Sequence, residues 1–417
     1  MKSATLKNQH AFVATVVATL CLSVAVGTAR ADTVTDWNAT AAALPIAAPP
    51  VHARVMAAMH GAIYDAINSI EPRYETYRFP VEAPAGASKD AAVAAAAYSV
   101  LAALVPSQKA TLDSALAQTL AKISDERSKA DGILVGKTVA EGMLAWRAKD
   151  NFDVKAVDNP GTGAGVWQRT PPGFAPGVLP QMGGVTPFTL KSVDQFAAKG
   201  RPALTSKEFA RDLAEIKSLG GRLSTERTAD QTAAAVLWEG SELPPLNAVV
   251  RAASQSRKLS LHENARLFAL THMAIADALV VSFRIKYQEK AWRPITAIRA
   301  GYGSTAPDPN WESLLITPPH PEYPAAHCIS AGAAAQVLRS LFGSDEVKFS
   351  YVFPPSIGIT RSYTSLAQIE KEVEDARVFG GIHFRSTTEQ STDLGRRVGG
   401  YAVANYLRPT AALQTSR

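Results

Sequence analysis

Cysteine is nearly absent: the 417-residue chain has two, and one of them, Cys21, lies in an amino-terminal segment set apart by its composition. Cys328 stands alone in the remainder, so no internal disulfide can staple that part, and its stability has to come from a buried core. Charge of one sign is also scarce. The formal net charge is +6, no polybasic run occurs, and Lys2, Lys7 and Arg30 of the amino-terminal segment supply three of the positive charges. A balance this mild argues against nucleic acid as a partner. Beyond residue 31 no uninterrupted apolar run reaches the ~18 residues of a membrane span. The best candidate, 267–283, is broken by His272 and Asp277, which predicts a chain without an integral membrane segment. Repeated alternating strands are missing, which argues against a Rossmann fold or a TIM barrel. His320 and His327 have neither an HExxH pattern nor an acidic cluster beside them, which argues against zinc.

The amino-terminal segment has a pattern of its own. Lys2 and Lys7 precede the apolar run 11–27, and Ala29-Arg30-Ala31 fits an A-x-A cleavage site. Residues 1–31 therefore read as a signal peptide, with export to the periplasm or the exterior and a mature start near Asp32. A retained anchor helix is the competing reading.

Helical spacing dominates the chain beyond residue 31. Val55, Met56, Met59, Ile63, Ile67 and Ile70 recur at three- and four-residue intervals and predict a helix over 51–70. His60 and Asp65 fall within it and read as a core histidine and a polar contact. Further helices are expected from a Ser88 cap to Val105, from a Ser107 cap to about Ile123, and over 129–149, 206–219 and 224–238. The longest starts at the capping box Ser260-Leu261-His262-Glu263 and meets no breaker before Pro294. That is roughly 32 residues, or about 48 Å. Only 346–365 resembles strands. Ser365 and Gln368 cap a helix ending near Gly380-Gly381, and the last helix covers 382–407, with Gly395, Gly399 and Gly400 permitting close packing. From 150 to about 200 the pattern disappears into proline and glycine. Trp167, Phe174 and Phe188 there argue for a folded covering loop rather than a disordered linker. The class is all-α, with an amino-terminal helical region and its covering loop over 32–200 and a second helical bundle over 201–417.

Chemistry concentrates around 317–330, TPPHPEYPAAHCIS. Pro324 suits the first position of a helix that meets Gly343 as its breaker. The amides of Ala325, Ala326 and His327 would then point unpaired from its N-terminus, a site for an oxyanion, with His327 placed to pass a proton. On the long helix, Lys286, Lys290 and Arg293 would share one face, with Arg293 at the helix end. Arg377 and His383 are six apart, and Gly380-Gly381 between them would let both turn into one site. Singly, each feature is commonplace. Basic residues at a helix C-terminus ordinarily complement the dipole, and a histidine at a helix start is usually structural.

Taken together, Lys286-x6-Arg293-Pro294, Pro324-x-x-His327 and Arg377-x5-His383 resemble the signature of the vanadium-dependent haloperoxidases. These share a superfamily with the type 2 phosphatidic acid phosphatases and bacterial acid phosphatases. MHGAIYDAIN at 59–68 and the 167–238 region resemble the secreted bacterial branch, so the likeness covers most of the chain beyond residue 31. It implies an architecture of helical bundles. It also implies that His383 bonds the vanadium of vanadate, or attacks phosphorus in a phosphatase, and that His327 is the general acid–base. Lys286, Arg293, Arg377 and the Ala326 amide are implied to hold the oxyanion's oxygens. Vanadate with hydrogen peroxide and a halide is the first implied chemistry. A phosphate ester cleaved through a phosphohistidine, without a cofactor, is the second. A third reading is an oxyanion-binding protein whose catalysis has decayed, motivated by two departures from the family pattern. Ala325 stands where a serine is usual, and Thr387 stands where an acid four residues after the last histidine is usual. Whether Glu389 replaces that acid is open.

Overall fold

The computed structural model describes residues 32–46, 48–352 and 359–411. The expected signal peptide over 1–31, with Cys21 and its cleavage site, lies outside them. Along the described residues run α1 (Thr33–Ala42), α2 (Pro49–Ile70), α3 (Lys89–Leu104), α4 (Lys109–Leu120) and α5 (Glu126–Arg147). After the covering loop come α6 (Lys207–Leu219), α7 (Ala229–Leu237), α8 (Leu243–Ser256), α9 (Leu261–Glu289) and α10 (Pro294–Ala300). Next along the chain are α11 (Ala326–Phe342), the hairpin β1 (Glu346–Val352) and β2 (Thr360–Ser365), α12 (Leu366–Phe379) and α13 (Arg385–Asn405). The protein is an all-α helical-bundle fold with one small antiparallel hairpin, in which Phe349 lies opposite Tyr363.

The axis of the fold is α9. Its start is fixed by the expected capping box, in which Ser260 and Glu263 each cap the other's backbone amide. By length and composition it could cross a membrane, yet nearly all of it is buried by neighbouring helices. One side packs on α2 and the other on α11 and α13. The α11–α13 pair is the closest contact because glycines let the backbones meet. A Cβ on Gly332 would lie 2.2 Å from the Thr392 carbonyl oxygen, and one on Gly395 would lie 2.1 Å from that of Ile329. Gly399 is similarly pressed against Ala333, whereas a Cβ on Gly400 would meet only Gln336 Cγ, at an ordinary 3.7 Å.

The caps at Ser88, Ser206 and Ser365 form as expected. Other boundaries move for local reasons. Ser107 falls inside a 3-10 turn, Pro106–Gln108, that leads into α4. The cap of α7 is Thr228 with Gln231, because Ser224 spends its hydroxyl on the amides of Glu226 and Arg227. Helix α8 was not anticipated. Its Leu243-Pro244-Pro245 start looks like a breaker but suits a first helical turn, whose amides have no partner to lose.

The largest correction concerns α9, which stops at Glu289 rather than at Pro294. Lys290 adopts a left-handed conformation (φ 47°), and its carbonyl accepts a 2.6 Å bond from the amide of Trp167 in the covering loop. Arg293, extended because a proline comes after it, becomes the N-cap of α10. Lys286, Lys290 and Arg293 therefore do not share one helix face. The start of α11 is also later than expected, since Pro324 precedes the N-cap Ala325 and the first helical residue is Ala326.

The 150–200 segment is a folded cover, irregular apart from the 3-10 turn Pro180–Gly184. Trp167 and Phe188 are buried, but Phe174 is 57% exposed and contributes nothing to the packing that was expected of it. The main tether is Asp277 of α9. Its carboxylate accepts from the amides of Phe188 (2.6 Å), Thr189 (2.6 Å) and Leu190 (3.1 Å) and from the Thr189 hydroxyl (2.6 Å). Nearer the site, the Val178 amide donates to the Pro319 carbonyl (2.9 Å), and the Tyr287 hydroxyl donates to that of Val178 (2.6 Å).

Candidate active site

Helix α9, the segment leading into α11, the start of α11 and the α12–α13 junction meet at one cavity of about 400 Å³, which the start of α2 and the 239–242 segment also line. Its polar lining includes His327, His320, Arg377 and His383, and its apolar lining includes Ala326, Phe283, Leu315, Ile316 and Val178. The junction works as its glycines suggested. Gly381 takes a positive φ of 76°, and the amides of Ile382 and His383 both donate back to the Arg377 carbonyl, so arginine and histidine face the same space.

Lys286 and Arg293 are fully buried directly behind this lining. Lys286 Nζ donates to the carbonyls of Pro321 (2.8 Å) and Glu322 (3.0 Å). Arg293 is held by Nε to the His320 carbonyl (2.9 Å) and by Nη1 to the Ile382 carbonyl (2.8 Å). Its Nη1 also lies 3.2 Å from His383 Nε2, and its Nη2 lies 3.0 Å from His320 Nδ1. Arg377 differs. Only Nη1 is engaged, to the Trp238 carbonyl at 2.5 Å, while Nε and Nη2 are buried and without a partner among the described residues.

Hydrogen-bond roles fix the state of His383. A guanidinium can only donate, so Nε2 facing Arg293 is an acceptor and the ring proton sits on Nδ1. From there it meets Glu322 Oε1 at 3.0 Å. The same carboxylate accepts from the Phe384 amide (3.1 Å) and, through Oε2, from the Thr387 hydroxyl (3.0 Å). Glu322 was not singled out from the sequence. It lies inside the TPPHPEYPAAH stretch, but no local spacing connects it to a histidine 61 positions away. Glu389 does not replace the missing acid. It is exposed and lines a separate surface cavity with Asp393 and Arg397.

His327 donates Nε2–H to the Gly240 carbonyl (2.7 Å) and has Glu242 Oε2 at 3.6 Å. The Glu242 carboxyl is buried with no hydrogen-bond partner among the described residues, and burial raises its pKa. Of the three amides expected to be free, that of Ala325 is taken by the Ser391 hydroxyl (2.8 Å). Among the described residues no side chain caps α11, and Ala326 lines the cavity.

Burial sets the electrostatics. It drives the His383 pKa well below the ordinary value, reinforced by Arg293 and Lys286, so the imidazole is neutral. His327 is lowered by burial and then by Arg377. Lys286 is pushed well down by burial and by Arg293, while burial brings Arg293 and Arg377 each to about 10. Glu322 is raised to about 7 by burial, against the opposing pull of Arg293 and Lys286. An uncapped helix start, a guanidinium with two idle donors and an imidazole whose unprotonated Nε2 is held by Arg293 until an anion replaces that contact all converge on one cavity. This donor set fits a tetrahedral oxyanion such as vanadate or phosphate.

Comparison with known proteins agrees with this architecture. The family model for the VCPO second helical-bundle domain matches residues 266–411. Vanadium chloroperoxidase of Curvularia inaequalis is 26% identical over 381 residues, covering 72% of this chain and 62% of its own length. The match thus spans less than two thirds of that relative. Among solved structures, the first bacterial vanadium-dependent iodoperoxidase superposes with a TM-score of 0.78 at 23% identity, covering 91% of this chain and 96% of its own. The apo-type and holo-type structures of a bacterial vanadium-dependent chloroperoxidase each give a TM-score of 0.71, at 18% and 17% identity. They cover 86% and 90% of this chain, and 94% and 95% of their own. Residues 266–411 thus match the model of the VCPO second helical-bundle domain, and over 91% of its length the chain shares the fold of the solved bacterial vanadium-dependent iodoperoxidase.

Proposed function

We propose that the protein is a vanadate-dependent haloperoxidase-like enzyme that uses hydrogen peroxide to oxidise a halide. The observation that carries this reading is His383. A buried, neutral imidazole presents an unprotonated Nε2 at a cavity that Lys286, Arg293 and Arg377 make electropositive. Vanadate would be held there by His383, with Arg377, Arg293, Lys286 and the Ala326 amide around its oxygens. When bound it supplies the Lewis-acid centre that activates peroxide. The chain's own contribution is fixed positive charge that needs no reorganisation during the reaction. His327, across the cavity and neutral, is positioned to take a proton from an incoming oxygen and return it to a leaving one. The covering loop, pinned at Asp277 and at Pro319, limits water at the site. We also propose the division into 32–200 and 201–417, which leaves every proposed site residue in the second part and gives the first part Pro49, Pro50, Val178 and Leu179 of the cavity's lining. Export to the periplasm or exterior is part of the same proposal, supported by Lys2, Lys7, the 11–27 run and Ala29-Arg30-Ala31.

The test is a paired assay on protein freed of anions and on protein preincubated with orthovanadate, with His383→Ala as control. Peroxide-dependent bromination that requires vanadate and disappears in the control is the expected result. Hydrolysis of an aryl phosphate that vanadate inhibits, without bromination, would establish the phosphatase instead. Folded protein silent in both arms, and still silent after Ala325→Ser, would leave an oxyanion-binding protein.

A further inference from the structure

Thr387 occupies the position where an acid would orient the histidine, and the structure holds a carboxylate in that space from another element. Glu322 is 1% exposed and directs Oε1 to His383 Nδ1 (3.0 Å) and Oε2 to Thr387 Oγ1 (3.0 Å). The Phe384 amide, at 3.1 Å, fixes the carboxylate from a third direction. Its backbone is fixed as well, because the Glu322 amide donates to the Ala291 carbonyl (2.9 Å) and its own carbonyl accepts from Lys286 Nζ (3.0 Å).

We propose that Glu322 is the positioning residue for His383, a carboxylate relocated from position 387 to the 317–325 segment, with Thr387 reduced to its hydrogen-bond anchor. The physical reason is tautomer selection. An imidazole has one proton to place, and a carboxylate that can only accept draws it to Nδ1, leaving the Nε2 lone pair for the cavity. Arg293 Nη1 favours the same choice through its 3.2 Å contact with Nε2, and once a bound anion takes that donor the carboxylate alone holds the tautomer. Outer-shell partners of this kind ordinarily change affinity by about 10- to 100-fold when removed. This inference rests on the reading of His383 as the group that bonds the anion's central atom.

Two probes separate orientation from charge. Orthovanadate accepts a fifth ligand and so uses the lone pair, whereas sulfate does not and reports the field alone. Removing Glu322 raises the positive field and strengthens both, so the ratio of their affinities isolates the histidine. In Glu322→Ala, the vanadate-to-sulfate affinity ratio should fall by about 10- to 100-fold, and ¹⁵N shifts of the sulfate-bound protein should show His383 leaving the Nδ1–H tautomer. Adding Thr387→Glu to that variant should restore both readouts, which a purely structural role for Glu322 would not do. If Glu322→Ala fails to fold, Glu322→Gln keeps an oxygen facing Nδ1. It should then retain the tautomer with a smaller fall in the ratio. An unchanged tautomer and ratio in Glu322→Ala, or equal shifts for both anions in Glu322→Gln, would overturn the proposal. Wild-type protein without preference for vanadate over sulfate would instead sink the functional reading, and the tautomer comparison would still judge Glu322.

Discussion

Replacing Arg377 with methionine should make the protein more stable and its anion site weaker. The guanidinium is 1% exposed and engages one acceptor, the Trp238 carbonyl, leaving Nε and Nη2 buried and unpaired among the described residues. Each buried unpaired donor costs about 1–3 kcal/mol, and losing the Trp238 bond costs about as much once. The balance favours Arg377→Met by roughly 1–3 kcal/mol in the absence of anions. An oxyanion that takes both idle donors gains about 1.5–3 kcal/mol from each charge-assisted bond. Orthovanadate affinity should therefore fall by about two to four decades. Urea unfolding in an anion-poor buffer measures the first effect, and calorimetric titration with orthovanadate the second. Opposite signs are the signature of a residue held under strain for binding. A variant that is less stable yet binds vanadate within about threefold of wild type, well short of a single decade, would refute the reasoning and make Arg377 a structural strut for Trp238.

Four further substitutions give measurable consequences. Asp277→Asn keeps the shape but loses one anionic acceptor for the four donors of the covering loop, so unfolding stability should drop by about 2–4 kcal/mol. Limited proteolysis should then nick the 150–200 segment first. Gly395→Ala forces a Cβ to 2.1 Å from the Ile329 carbonyl and should cost about 1–3 kcal/mol. Gly400→Ala, on the same helix but with only an ordinary 3.7 Å contact to Gln336 Cγ, should be neutral or stabilise by up to about 1 kcal/mol in thermal unfolding. His272 is buried against His60, and burial lowers its pKa to about 3. Below its ordinary value near 6.5 the unfolded chain binds a proton that the folded chain refuses. Its contribution is therefore intact above that pH and is lost as pH falls towards the folded pKa, about 2 kcal/mol by about pH 5. The pH dependence of stability between about 7 and 5 should be shallower in His272→Asn by that amount. Parallel slopes would show that His272 is protonated in the folded protein.

Local chemistry was legible wherever neighbours in sequence are neighbours in space. Ser260 and Glu263 capped α9, Ser365 and Gln368 capped α12, Gly343 ended α11, and Glu346–Val352 paired with Thr360–Ser365, because caps and close pairings form within a few residues. The same holds for Arg377 and His383, joined by one glycine turn. The basic residues were identified through family likeness, but their arrangement was misread. One unbroken helix fitted the apolar period through 260–293, while the break at Lys290 depends on the Trp167 amide of a loop far away in sequence. The start of α11 was misplaced for a similar reason, since Ser391 on α13 claims the Ala325 amide.

By itself, the sequence determined an all-α chain and the residue types that an oxyanion site requires, since period, capping and charge are properties of short stretches. Tertiary structure alone decided how those residues are wired. It set Arg293 against His383, left Arg377 with two idle donors, and brought Glu322 across 61 positions to the imidazole. Such pairings are settled by which helices pack together, and close helix packing depends on buried shape that no local spacing encodes.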